Sequence, residues 1–142
     1  MAPPPEPAYD TLAIGDALPP LTLPPVTRQA LAIYCGASGD HNPVHVDLDF
    51  ARAAGLGDVI AHGMLVMAYL GRLLTDWVPQ AAIRSFDTRF LAMTRVGDVI
   101  TCAGRIVDKT TTDGERRVRI AVNAADQRGE VKAQGEAVVA LP

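Results

Sequence analysis

Residues 63–77 read "GMLVMAYLGRLLTDW". The apolar residues Met64, Leu65, Met67, Ala68, Leu70, Leu73, Leu74 and Trp77 cover more than one face of a helix, which predicts burial on most sides. This is the expected core helix, beginning near Gly63. The apolar run from Val59 to Leu74 is broken by His62, Gly63 and Arg72, which argues against a membrane span.

Beyond Pro79 the period changes from helical to alternating. Phe86, Thr88 and Phe90 alternate with Asp87 and Arg89, and "VITCAGRIVD" follows a Gly97-Asp98 turn as a second strand-like run. An Asp113-Gly114 turn signal precedes Val118, Ile120 and Val122, which alternate with Arg117, Arg119 and Ala121. In the last run Val131, Ala133, Gly135, Ala137, Val139 and Leu141 share one parity. Three or four antiparallel strands in succession are therefore expected.

Before the core helix, Leu18, Leu21 and Leu23 have strand character but are punctuated by prolines, which suits an edge strand ending near Pro24. Thr27 is the expected cap of a helix from Arg28 to about Cys35, with Leu31, Tyr34 and Cys35 on one face and Gly36 and Gly39 ending it. Asp47 is the expected cap of a short helix that buries Phe50 and stops around Gly55. A helical half followed by successive strands predicts an α+β fold, a sheet packed around one buried helix. Residues 1–7 are proline-rich and expected to be disordered, leaving 8–142 as a single domain.

Composition narrows the function classes. The 142 residues are 49% hydrophobic, enough for a real core. A formal charge of -3 and 5% aromatic residues offer neither a cationic surface nor a stacking platform for nucleic acid. Cys35 and Cys102 lie far apart and form no C-x-x-C pair, so neither a disulfide framework nor a cysteine metal site is indicated. "MAPPPEPAYD" has no basic region followed by an apolar stretch, so a secretory signal is not expected and a reducing cytoplasm is.

The chemistry concentrates in "GASGDHNPVHVD", residues 36–47, which holds Asp40, His41, His45 and Asp47. Three readings stay open on these residues alone. A metal site would use His41 and His45 with Asp40 and Asp47 nearby, but Pro43 removes the helical geometry that makes a four-residue histidine spacing useful. A structural loop would use Asp40 and Asn42 to cap turns and His45 as a satisfied buried histidine. An acid/base pair would have His45 exchange a proton near neutral pH while Asp40 orients it or holds a water. A second feature is His62-Gly63 at the expected helix start, where free backbone N–H groups and the helix dipole favour developing negative charge. Gly63 would let a substrate approach the backbone, whereas an ordinary helix start with a packing glycine is the plainer account.

"YCGASGDHNPVHVDLDFARAAGL" followed by "DVIAHGMLVMAYLGRLLTDWV" resembles the MaoC-like dehydratase family, also called hydratase 2 or the R-specific enoyl-CoA hydratases. The likeness covers about Leu18 to Leu141 in element order, with the specific motifs between Ala37 and Leu70. "VTRQ" and "DWV" make it similar, within that family, to small stand-alone (3R)-hydroxyacyl-ACP dehydratase subunits. The resemblance implies a hotdog fold, a long helix wrapped by an antiparallel sheet. It also implies a hydro-lyase that interconverts trans-2-enoyl and (3R)-3-hydroxyacyl thioesters.

Carried over residue by residue, the resemblance places the catalytic pair on Asp40 and His45 and the backbone oxyanion donor on Gly63. It places substrate contacts on Asn42, Pro43, His62 and Met64. His41 falls on a variable position of the motif and takes no role. No metal and no cofactor are implied, coenzyme A or phosphopantetheine being part of the substrate; Arg89 and Arg95 are weak candidates for its carrier end. A homodimer is implied, or a heterodimer with another hotdog subunit, with no nucleic-acid partner. Two alternatives are a hotdog thioesterase, which would direct water at the carbonyl carbon, and a noncatalytic subunit of a heterodimeric dehydratase.

Overall fold

The computed structural model describes residues 5–142; the disorder expected at 1–4 lies outside the described residues, and 5–7 carry no regular element. Helix α1 spans Arg28–Ser38, α2 Leu48–Ala53 and α3 Gly63–Thr75. The strands are β1 Leu21–Thr22, β2 Ile83–Phe90, β3 Thr101–Thr112, β4 Glu115–Ala125 and β5 Val131–Leu141. They form one five-stranded sheet in the order β1-β3-β4-β5-β2, every neighbouring pair antiparallel. This is the expected α+β hotdog, with β1 and β2 as its two edges.

Alternation places the core as the sequence predicts. Val118, Ile120 and Val122 of β4 and Ala133, Ala137, Val139 and Leu141 of β5 are buried against Val66, Leu70, Leu73 and Leu74 of α3. Burying a side chain such as Leu70, at 0% exposure, contributes about 1.5–3 kcal/mol. A smaller cluster of Val26, Leu31, Ala51, Val59 and Ala61 lies under α1 and α2. It fixes the loop between those two helices relative to the start of α3. Between β3 and β4, Asp113 and Gly114 take positive φ values of 53° and 76°, matching the turn that an Asp-Gly pair favours.

Three local expectations need correction. Helix α1 runs through Gly36 to Ser38 and stops where Gly39 takes φ 75°, because the left-handed cap rather than the first glycine ends the intrahelical bonding. Thr27 caps it as expected, accepting from the Ala30 N–H. Helix α2 is capped by Asp47, but it buries Ala51 and leaves Phe50 46% exposed; six residues expose all but one narrow stripe. Finally, α3 is buried along Val66, Leu70, Leu73 and Leu74 only, while Met64 is 54% exposed and Ala68 is also exposed. One sheet covers one side of a helix, and Met64 and Ala68 lie on the side it does not cover.

Candidate active site

The loop after α1 brings the first charged group into position. Asp40 Oδ1 accepts from the Asn42 N–H at 3.3 Å, and Asn42 Oδ1 accepts from the Val44 N–H at 3.2 Å. Asn42 thereby caps a 3₁₀ turn, Pro43–His45, in which Pro43 occupies a first-turn position that needs no N–H donor. The turn carries His45 inward, to 9% exposure, while Asp40 stays at the surface.

His45 then has one nitrogen committed. Its Nδ1 lies 2.7 Å from the Ile60 carbonyl, which only accepts, so Nδ1 carries a proton and Nε2 of the neutral ring has a free lone pair. Nε2 lies 3.9 Å from Asp40 Oδ2. That separation is too long for a direct hydrogen bond and leaves both atoms able to share a water.

His62 lies behind this pair. Its ring stacks on His45 with centroids 3.8 Å apart and meets Tyr34 edge-on at 4.7 Å. Its Nε2 donates to the Asp40 backbone carbonyl at 3.2 Å, and the Cys35 thiol donates to the same oxygen at 2.8 Å. The remaining nitrogen, Nδ1, is buried without a hydrogen-bond partner. Burial, then the neighbouring His45, push the His62 imidazole below its usual value, against the opposing pull of Asp40.

A cavity of about 420 Å³ opens beside His45. Its wall includes Ile60, Ala61, Gly63, Val66, Phe90 and Leu91. Gly63 is the first residue of α3, so its N–H belongs to the group left without an intrahelical acceptor. A side chain there would be crowded: a Cβ would lie 3.3 Å from two ring carbons of Phe90, which would have to shift. The far wall, Leu91 to Thr94, is held by Lys132. The Lys132 backbone carbonyl accepts from the Leu91 and Ala92 N–H groups, and its ammonium donates to the Met93 carbonyl at 3.0 Å.

That ammonium is 2% exposed and surrounded by carboxylates, bonded to Glu130 and lying 3.4 Å from Asp126 and 3.6 Å from Asp98. Burial alone would push its pKa down, but the bonds to Glu130 and Asp126 prevail and hold it above the usual lysine range.

The structure thus brings Asp40, His45 and the Gly63 backbone to one region. It places none of the four expected substrate contacts on the cavity wall. Asn42 and Pro43 shape the loop, His62 is 1% exposed behind His45, and Met64 projects outward from α3. His41 is exposed, and the Asp47 carboxylate caps α2 by accepting from Phe50. A His41/His45/Asp47 ligand set is therefore not assembled. Asp40, His45 and His62 instead offer ligand atoms within 4.8 Å of one another. Two imidazoles stacked face to face direct their in-plane lone pairs along neighbouring planes, which is poor geometry for one tetrahedral ion.

A profile described as a MaoC like domain matches residues 14–128. This chain belongs to the MaoC-like family. It is 28% identical over 132 residues to a mitochondrial 3-hydroxyacyl-acyl-carrier-protein dehydratase of Arabidopsis thaliana, covering 92% of this chain and 78% of that protein. It is 29% identical over 119 residues to an (R)-specific enoyl-CoA hydratase of Rhodospirillum rubrum, covering 82% and 81% of the two. Among solved structures, an unliganded R-hydratase from Pseudomonas aeruginosa superposes with a TM-score of 0.81 at 27% identity, covering 95% of this chain and 85% of that one.

Three features of this MaoC-like domain escaped the sequence reading. Cys35 shares a helix face with Leu31 and Tyr34, but nothing local signals that its thiol reaches the loop five residues on. Phe90 shows only strand alternation, not its contact with Gly63. Lys132 sits in a run whose opposite parity is apolar, so alternation predicts a solvated lysine; its carboxylate partners come from the β3 approach and the β4–β5 turn.

Proposed function

We propose that this chain adds water reversibly across trans-2-enoyl thioesters to give (3R)-3-hydroxyacyl thioesters, with coenzyme A or acyl carrier protein as the carrier. The observation that carries this reading is the 3.9 Å gap between Asp40 Oδ2 and the free Nε2 of His45, beside an apolar cavity that a helix start enters. The names of the Arabidopsis and Rhodospirillum relatives support the same chemistry.

In this mechanism the thioester carbonyl accepts from the Gly63 N–H, which makes C3 electrophilic and stabilises the enolate-like oxygen. A water held between Asp40 and His45 attacks C3. His45 Nε2 takes the water proton, and the pair returns a proton to C2, so that OH and H are added in sum. Asp40 holds the water and shares the proton; the two groups act as one coupled unit. The acyl chain lies against Ile60, Val66, Phe90 and Leu91.

The functional unit proposed is a dimer, homodimeric or paired with a related hotdog subunit, acting in the cytoplasm. Its support is the open outer edge of β2 and the exposed Met64, Phe90, Leu91 and Met93 near the cavity. Mass in solution should be near twice 15.0 kDa or a larger multiple. A fully active monomer across dilution contradicts the assembly.

The reaction is tested by following enoyl absorbance and thiol release together on a panel of coenzyme A and carrier-protein thioesters. Loss of the enoyl signal with the thioester intact supports hydration. Thiol release in step with that loss, or from a saturated acyl thioester, supports a thioesterase, and a chain active only with a second subunit supports the heterodimer.

A further inference from the structure

The His62 side chain contacts both members of the proposed catalytic pair without facing the cavity. It binds the Asp40 carbonyl through Nε2, stacks on His45, and immediately precedes Gly63 as the N-cap residue of α3. At 1% exposure it is out of reach of substrate. The groups that face it are Tyr34 and Cys35 from α1, Asp40 from the loop and His45 from the 3₁₀ turn.

Its hydrogen bonding fixes its protonation pattern. A carbonyl accepts only, so the proton of the neutral ring is on Nε2; a second proton on Nδ1 would be buried without an acceptor. It would also put a charge face to face with His45, the ring that must itself gain and lose a proton. His62 therefore serves poorly as an acid and well as a rigid, uncharged support.

We propose that His62 is a positioning residue that sets the spacing of Asp40 and His45 and ties both to the start of α3, through one hydrogen bond and one ring stack. This rests on the hydratase reading and adds to it a residue that acts on the reaction only through the catalytic pair. A misplacement of the pair lowers the chemical step more than it lowers binding, because the acyl contacts lie elsewhere on the cavity wall.

Two variants separate the two contacts. His62→Phe keeps a ring against His45 and loses the bond to the Asp40 carbonyl; His62→Gln keeps an N–H donor and loses the stack. Each, shown to fold by circular dichroism, should lower kcat on the order of 10- to 100-fold with KM within about twofold. Nitrogen-15 NMR of the parent should show His62 as the neutral Nε2–H tautomer at pH 7, unchanged when butyryl-CoA is added. This measurement stands even where a variant fails to fold.

Parent-like kcat in a folded His62→Phe overturns the proposal, as does an Nδ1–H or doubly protonated His62 at pH 7, or a rise in KM with kcat unchanged. Failure of the hydratase reading is a separate result: it shows as absence of enoyl turnover in the parent itself, which removes the step that His62 is proposed to set.

Discussion

The rings of His45 and His62 lie one on the other, inclined by 23° with centroids 3.8 Å apart. Two imidazoles in that contact cannot both be charged cheaply, and burial disfavours the charged form of His62. Its folded value lies below the usual 6.5, so between the two values the unfolded chain binds more protons than the folded one. The stabilising contribution is therefore present above about 6.5 and lost as pH falls through the lower folded value. Thermal melts from pH 7.5 downward should show stability falling with pH, and His62→Phe should flatten that dependence. An unchanged slope in the variant would assign the acid sensitivity to other groups.

Asp40→Asn and His45→Gln, if folded like the parent, should each reduce enoyl-thioester hydration by at least roughly 100-fold, in the range of positioned acid/base groups. Parent-like turnover in either variant removes that residue from the mechanism. Dialysis against EDTA should leave the parent rate intact. A reversible loss restored by one divalent metal would instead point to the Asp40, His45 and His62 ligand atoms.

Gly63 should act through its backbone and through the space it leaves. A Cβ meets the Phe90 ring at 3.3 Å, so Gly63→Val must displace that ring or the helix start. Turnover should fall by on the order of 100-fold, the cost typical of losing an oxyanion donor. Steady-state kinetics check this, with the double variant Gly63→Ala/Phe90→Leu recovering part of the rate lost in Gly63→Ala. No recovery would mean that the Phe90 contact is not what excludes a side chain.

Lys132→Met should destabilise the fold, because the Asp98 and Asp126 carboxylates lose their buried cation and keep only the exposed Arg128 guanidinium beside them. The same change frees the Met93 carbonyl, so the cavity wall loosens and KM should rise. Urea unfolding monitored through Trp77 gives the first quantity and enoyl-thioester kinetics the second. Parent-like stability would show that the surrounding charges compensate without the lysine.

Much of this architecture was legible because burial follows period. The alternation of Val118, Ile120 and Val122 places β4, and the caps at Thr27 and Asp47 place two helix starts, since a side-chain oxygen facing orphan N–H groups is a local signal. The motif that holds Asp40, His45 and Gly63 pointed to these three, and the structure brings them to one region. Phe50 and the outer face of α3 were misread because apolar character does not say which side a partner element covers. His62 was legible as the neighbour of Gly63 but not as the support of His45, and Lys132 not at all. Both depend on contacts between segments far apart in sequence, the Lys132 ammonium meeting Met93 across 39 positions.

The central claim is that water held by Asp40 and His45 adds to C3 of an enoyl thioester, and product analysis with the purified chain tests it most directly. Given trans-2-butenoyl-CoA in deuterium oxide, the parent should yield (3R)-3-hydroxybutyryl-CoA with the thioester intact and one deuterium at C2, and folded Asp40→Asn should yield almost none. Free coenzyme A, a (3S) product, or an equal yield from Asp40→Asn would contradict the account.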